Sequence, residues 1–519
     1  MSKQRWGSRL GVILAVAGSA VGLGNFLRFP GVAANNGGGA FMIPYFISFF
    51  LLGLPLMWIE WTIGRFGGGF GHSTAPGVFD TMWQKNRFVK YFGVMGIFGP
   101  VVIFSYYIYV ESWLLGYSVF ALIGRYADCT DLESMRAFLT GYQSLAGTEH
   151  FPAGTAYLFF IITFAINIIV LSFGISRGIE RCCKWGLPLL LVIAIILVIR
   201  VLTLGTPDPA RPENNVLKGL GFLWNPQWAA LKKPEVWLAA AGQIFFTLSV
   251  GFGVILTYAS YLRRNDDVAL SGLTAAATNE MAEVVLGGSL VIPAAFAFFG
   301  AAGIQSIADQ NIFDLGFLTM PLILGQMAYG QIFGFLWFFL LFIAGVTSSI
   351  SLAQPAIAFM EDEFNLTRRE AAVLFAVVTF LLCQPVIFFL GNGVLGEMDF
   401  WGTTVCLVVF ATIEVILFGW VFGIDRAWTE LHAGSDIRIP RIYRFIIKYI
   451  TPLMLLTILA TWIFNDWKKQ LLLEGVEEAN RPYILITRVG LLGLFVFLLL
   501  MVRIVWRRRP EATCPETDQ

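Results

Sequence analysis

Ala20-Val21-Gly22-Leu23-Gly24-Asn25 and Thr247-Leu248-Ser249-Val250-Gly251-Phe252-Gly253 decide the fold. Each sets a Gly-x-Gly inside an apolar stretch long enough to cross a bilayer, and the two stand in different halves of the chain. Glycine costs about 1 kcal/mol in a helix interior relative to alanine. At membrane depth, unwound backbone survives only where protein or a water-filled cavity satisfies its N–H and C=O groups. The pair therefore predicts two discontinuous membrane helices. Matched breaks in two halves point to a central binding site of the kind that secondary transporters build.

The rest of the chain is consistent with that environment. It has 519 residues, 57% of them hydrophobic and 13% charged, with mean hydropathy +0.73. This composition predicts an all-α polytopic membrane protein. About twelve spans follow from the 20-residue rule, near 10–35, 39–66, 87–123, 154–173, 179–204, 234–262, 267–300, 331–361, 369–390, 398–424, 445–465 and 483–506. The first apolar run continues past Ala15-Val16-Ala17, so it reads as a signal anchor and first span, not a cleaved leader. Lys and Arg concentrate at both termini and in alternate loops, including Lys85, Arg87 and Lys90, then Arg177, Arg181 and Lys184, then Arg263 and Arg264. The positive-inside rule then places both termini in the cytoplasm. The segments 124–153, 205–233 and 301–330 fall outside, and the last is apolar enough to fold back as a lid.

The net charge of +1 gives no ground for a nucleic-acid partner. Only Cys129 of the six cysteines falls in an outer loop, so no extracellular disulfide pair is available. His72, His150 and His432 are scattered and offer no metal cluster.

A half-helix that begins at a break points N–H groups and a positive dipole end into the cavity, which suits an anion. One that ends there presents carbonyl oxygens, which suit a hard cation. One site can thus hold a zwitterion beside metal ions without a charged side chain. Asn25, Thr247 and Asn279 add neutral oxygens, and Thr347, Ser348 and Ser349 form a hydroxyl cluster. Singly, such residues also pack helices or bond back to their own backbone, and Tyr107 also fits an ordinary buried aromatic. Glu283 shares a helix face with Asn279 four residues before it, where it can supply negative charge near a cation. Glu60 and Glu111 read as buried carboxylates that cap broken backbone. Arg28 and Asp399 are placed to close a cavity from outside. Lys3, Arg5, Trp6, Tyr261 and Asp362 are placed to close it from inside.

At these residues the chain resembles the neurotransmitter:sodium symporter family, and within it the bacterial leucine-transporter branch. The matching stretches cover nearly the whole chain. They include Gly22-Leu23-Gly24-Asn25-Phe26-Leu27-Arg28-Phe29-Pro30, Gly37-Gly38-Gly39-Ala40-Phe41, Gly242-Gln243-Ile244-Phe245-Phe246-Thr247-Leu248-Ser249, Ala344-Gly345-Val346-Thr347-Ser348-Ser349 and Glu397-Met398-Asp399-Phe400-Trp401.

The resemblance implies two inverted five-helix repeats, helices 1–5 (1–204) and 6–10 (205–424), followed by two added helices and a polar tail (425–519). It implies two sodium ions. One is held by the carbonyl of Ala20, the side chains of Asn25, Thr247 and Asn279, and the substrate carboxylate. The other is held by the carbonyls of Gly18, Val21 and Ala344 and the hydroxyls of Thr347 and Ser348. The substrate carboxylate meets the amides of Leu23 and Gly24 and the Tyr107 hydroxyl. Its amino group meets the carbonyls of Ala20, Phe246 and Thr247 and the Ser249 hydroxyl. Ile103, Phe246, Phe252, Ser348 and Leu352 hold its side chain.

By the same resemblance, Arg28, Asp399, Phe252 and Tyr107 gate the outside, and Arg5, Trp6, Tyr261 and Asp362 gate the inside. Lys3 is the alternative partner of Asp362. Gly22 stands where monoamine carriers have an acid, which favours a substrate with its own carboxylate. Glu283 stands where chloride-dependent members have a small hydroxyl residue, so its carboxylate replaces chloride.

The expectation is a sodium-coupled, chloride-independent symporter of small to medium neutral aliphatic amino acids, working by alternating access in a bacterial inner membrane. It is not expected to be an enzyme. Its partners are the amino acid, sodium and the lipid bilayer, and a homodimer is left open. A channel would show a continuous polar pore, whereas these hydroxyls cluster at one depth. An intramembrane enzyme would need a nucleophile pair, a metal cluster or paired acids, and none is visible. A proton-coupled carrier of related fold differs in not needing sodium.

Overall fold

Ser8 opens the first helix, its hydroxyl accepting from the Gly11 N–H at 3.0 Å. The computed structural model describes residues 5–508 except Ile312 and Asp466, so Lys3 lies outside the described residues. In chain order the spans are α1, in two pieces (Arg9–Ala20 and Gly24–Asn35), α2 (Gly39–Gly69), α3 (Val89–Leu122), α4 (Thr155–Ser172) and α5 (Ile175–Leu202). Next come α6, again in two pieces (Pro234–Thr247 and Val254–Ala259), α7 (Ala269–Gln310), α8 (Gly330–Phe364) and α9 (Arg368–Phe388). The chain ends with α10 (Val394–Val421), α11 (Ile442–Asn465) and α12 (Arg481–Arg508).

Ten of these are continuous helices long and apolar enough to cross a membrane, and the pieces of α1 are bent by 43°. Counting the bent α1 as one span gives eleven among the described residues, and the expected twelfth, α6, is broken into two pieces each too short to cross alone. No strand is present among the described residues. One boundary moves appreciably. α7 does not stop near residue 300 but bends at Gly300 (φ 67°) and continues to Gln310.

The outer segments carry short helices, at Leu132–Gln143, Val216–Trp224 and Met320–Gly325. Asp131 caps the first of these in a capping box with Ser134. Burial separates an inner set of helices from an outer one. In the most apolar window of α3, 89% of residues are buried, against 11% in α12. α3 packs along α8, and α1 sits against α8, α5 and α7, which brings its break to the middle of the bundle.

Two π-helical turns face that middle, Gly24–Arg28 in α1 and Met281–Gly287 in α7. Such turns concentrate at functional sites because the extra residue re-aims side chains. Here they carry Asn25 and Glu283.

Candidate functional site

The glycines of the two breaks serve different physical needs. In α6 they supply backbone conformation. Gly251 and Gly253 have φ of 78° and 71°, and Ser249 is also left-handed at 53°, a region that only glycine visits freely. In α1 they supply space. A Cβ on Gly22 would stand 2.7 Å from Ser348 Oγ and 3.3 Å from the Tyr107 hydroxyl, and one on Gly24 would stand 2.7 Å from the Phe246 ring. Helix α1 stops at Ala20, and Val21, its C-cap, leaves helical geometry with ψ 87°.

Asn25, Thr247, Asn279 and Glu283 come together as one buried cluster. Asn25 Nδ2 donates to Asn279 Oδ1 at 2.8 Å, to Glu283 Oε2 at 3.2 Å and to Thr247 Oγ1 at 3.3 Å. Asn25 Oδ1 accepts from the Gly22 N–H at 2.9 Å, across the break. Glu283 also accepts from Gln243 Nε2 at 2.8 Å and from the Thr247 hydroxyl. The same end of the Asn279 amide stands 3.1 Å from the Ala20 carbonyl oxygen and 3.3 Å from that of Thr247, and turned over it donates an N–H to both. Carbonyl, amide and hydroxyl oxygens of both broken helices and of α7 thus lie around one point. The donor set is all oxygen, as a hard monovalent cation requires, and a carboxylate stands next to it. These residues therefore fit a sodium ion.

Around the second expected ion set the contacts are looser. Thr347 Oγ1 donates to Ala344 O (3.1 Å) and Ile343 O (3.2 Å). Gly18 lies against Thr347, where a Cβ would stand 3.4 Å from Thr347 Cβ. Ser348 and Ser249 both donate to a carbonyl that the sequence reading did not single out, that of Ser19, at 3.2 and 3.0 Å. Ser19 O thereby ties α8 and the broken α6 to the end of the first half of α1.

All twelve residues expected to touch substrate line one cavity of about 670 Å³: Ala20, Gly22, Leu23, Gly24, Ile103, Tyr107, Phe246, Thr247, Ser249, Phe252, Ser348 and Leu352. The Tyr107 hydroxyl accepts from the Leu23 N–H at 3.4 Å. The cavity continues past Arg28 and Asp399 to residues of the outer segments, including Arg136, Phe313 and Asp314. Arg28 and Asp399 face it without pairing with each other among the described residues. Arg28 donates to Gln243 at 3.0 Å and lies 4.6 Å from the Phe246 ring centre, while Asp399 accepts from the Tyr106 hydroxyl at 2.6 Å. The 301–330 segment folds back as expected. Asp314 pairs with Arg136 at 2.5 Å. Burial pushes the Asp314 carboxyl above its usual value, and Arg136 pulls it part of the way back.

On the other side the chain is closed. Trp6 Nε1 donates to Tyr258 O at 2.9 Å, and Trp6 packs with Tyr261, Ile175 and Ala358. The Tyr261 hydroxyl accepts from Gln354 at 3.1 Å, and Asp362 accepts from the Ser73 N–H at 3.0 Å. Arg5 is exposed and forms no ion pair with Asp362 among the described residues. The alternative partner, Lys3, lies outside the described residues.

The two carboxylates expected to cap broken backbone part company. Glu60 accepts from the Gly251 N–H at 2.5 Å and so caps the α6 break. Glu111 caps no break; it accepts from Asn167 at 2.8 Å, and Asn167 in turn accepts from the Ser349 hydroxyl at 2.6 Å. An inner contact absent from the sequence reading is Glu180 of α5, which accepts from the Gly7 N–H (2.7 Å) and the Ser8 hydroxyl (3.1 Å) at the start of α1.

Comparison with known proteins places this geometry. The profile of the sodium:neurotransmitter symporter family matches residues 3–137 and 138–473. An uncharacterized sodium-dependent transporter of Methanocaldococcus jannaschii is 31% identical over 469 residues, covering 88% of this chain and 89% of its own. A sodium-dependent nutrient amino acid transporter of Drosophila grimshawi is 26% identical, covering 88% and 76%. The crystal structure of MhsT in complex with L-phenylalanine superposes with a TM-score of 0.75 at 30% identity, covering 88% of this chain and 99% of that one. The chain belongs to the sodium:neurotransmitter symporter family, and is a multi-pass, sodium-dependent transporter and not an enzyme.

Proposed function

We propose that the protein carries small to medium neutral aliphatic amino acids into the cell with two sodium ions, without chloride, by alternating access. The observation that carries this reading is the buried polar cluster at the paired breaks: Asn25, Thr247 and Asn279 gathered around the Glu283 carboxylate. One sodium sits there, completed by Asn25 and the substrate carboxylate. The second sits among Gly18, Val21, Ala344, Thr347 and Ser348. Leu23, Gly24 and Tyr107 hold the substrate carboxylate, with Ser249 and the break carbonyls on its amino group. Glu283 supplies the negative charge that chloride brings elsewhere. Gly22 leaves room for a carboxylate on the substrate instead of on the protein.

The described conformation is open to the outer cavity and closed at Trp6, Tyr258 and Tyr261, as a sodium-loading state requires. Arg28 and Asp399 close above the substrate. Trp6, Tyr261 and Asp362, with Arg5 or Lys3, open below it. The repeats span 1–204 and 205–424. Both termini are cytoplasmic, in a bacterial inner membrane. With two net charges entering per cycle, a potential of about 100 mV supplies roughly 4–5 kcal/mol.

A second reading, transport of an aromatic amino acid, is favoured by the phenylalanine bound in MhsT and by the volume of the cavity. Equilibrium binding of radiolabelled leucine, alanine and phenylalanine to purified protein, in sodium and in potassium, separates the two. The aliphatic reading predicts sodium-dependent binding in which leucine or alanine outcompetes phenylalanine. The reverse order supports the aromatic one, and binding unchanged in potassium overturns sodium coupling at this site.

A further inference from the structure

The outer end of α10 carries Asp399, yet little in α10 itself fixes where that end points. The helix follows Gly393, which has φ 83°, and its outer stretch is α-helical from Val394 to Asp399. It then passes through a π turn, Phe400–Val405. What holds this end comes from Tyr106 of α3 on the cavity side and from α12 with the chain before it on the other. The Glu397 carboxylate is buried, and one oxygen accepts from Arg488 Nε at 2.5 Å and from Trp401 Nε1 at 2.6 Å. Its other oxygen accepts from Gln470 Nε2 at 3.3 Å. Arg488 also donates from Nη1 to the carbonyl of Leu471 (3.0 Å) and from Nη2 to that of Gln470 (2.6 Å), locking the chain before α12 to the same point. Asn392 Nδ2 donates to Asn480 Oδ1 at 2.9 Å, and the rings of Phe389 and Tyr483 lie 4.9 Å apart.

Residues two apart on a helix point to opposite sides. Glu397 therefore faces α12 while Asp399 faces the cavity, where it meets Tyr106. A movement of one is a movement of the other. Removing one partner of a buried pair leaves the other charge uncompensated, so Glu397 and Arg488 hold each other in place.

We propose that Arg488 of α12 is a positioning residue for the outer gate: through Glu397 it fixes the outer turn of α10, and with it the direction from which Asp399 closes the cavity. A helix outside the paired repeats thereby sets the occluding step. The inference rests on the reading of Asp399 as an outer-gate residue.

The test is the rate at which bound amino acid leaves the purified full-length protein in saturating sodium, using whichever of leucine, alanine and phenylalanine binds tightest. It is measured for R488Q, R488K, D399N and the double variant. D399N is expected to speed release, and R488Q to speed it about fivefold or more, with R488K restoring most of the difference. The double variant is expected to release no faster than D399N alone, because a residue acting through Asp399 has nothing left to act on. If R488Q does not fold, E397Q carries the same expectations. Release at the normal rate from R488Q while D399N is fast overturns the role of Arg488 alone. So does a double variant in which the two effects multiply. A normal rate from D399N overturns both that role and the gate reading.

Discussion

Ser348 leaves no room for a side chain at Gly22: a Cβ there would stand 2.7 Å from its Oγ, with the Tyr107 hydroxyl 3.3 Å away. Overpacking a close-fitted site costs typically about 1–3 kcal/mol. Gly22 has no positive φ, so the cost falls on the cavity and not on the backbone. Gly22→Ala is expected to weaken amino acid binding about tenfold or more, with thermal stability close to that of the unsubstituted protein. Equal losses in binding and in melting temperature would show that Gly22 serves the helix break instead.

Glu283 accepts from Gln243, Asn25 and Thr247, and Gln243 in turn accepts from Arg28. If its charge is what balances sodium, Glu283→Ser removes that charge and leaves a hydroxyl-lined space. Uptake by this variant is expected to fall at least about tenfold without chloride and to recover as chloride is added. Uptake that stays low at every chloride concentration would mean that the carboxylate acts as something other than a fixed anion.

Asn279 sets its amide, and the one oxygen it carries, beside the carbonyls of Ala20 and Thr247. Asn279→Ala removes that oxygen and is expected to raise the sodium concentration for half-maximal binding about tenfold or more. Titrating sodium against bound amino acid reads the effect directly. An unchanged sodium midpoint would place the ion elsewhere.

Glu60 satisfies the Gly251 N–H within the α6 break. A buried donor left without an acceptor costs about 1–3 kcal/mol. Glu60→Ala is expected to lower thermal stability and to weaken sodium binding together, because the same break presents Thr247 and Ser249. Stability lost with sodium binding intact would separate the cap from the ion site.

The sequence was most informative where a residue's type conflicts with its surroundings. Glycine pairs inside apolar helices, and amides, hydroxyls and carboxylates at membrane depth, carry a cost that only function or a tertiary partner offsets. Asn25, Thr247, Asn279 and Glu283 stood out in this way, and they meet. What did not stand out depends on partners far away in the chain. That Glu60 caps a break while Glu111 binds Asn167 is settled by residues 191 and 56 positions away. Glu180 at the foot of α1 and Arg488 behind Asp399 are ordinary charged residues until the helices are assembled. Ser19 acts through its carbonyl, which every residue has. The π turns leave no local pattern, and the bend at Gly300 lies within an otherwise continuous helical stretch.

The central claim is that sodium drives amino acid entry through the paired breaks. It is tested most directly by uptake of radiolabelled leucine, alanine and phenylalanine into proteoliposomes, with sodium, potassium or a proton gradient imposed and chloride varied. The account predicts accumulation of at least one of them against its gradient with sodium outside, none with potassium, and no dependence on chloride. Accumulation driven equally by a proton gradient without sodium would contradict it, and would mean that the oxygens of Ala20, Thr247 and Asn279 do not converge on a sodium ion.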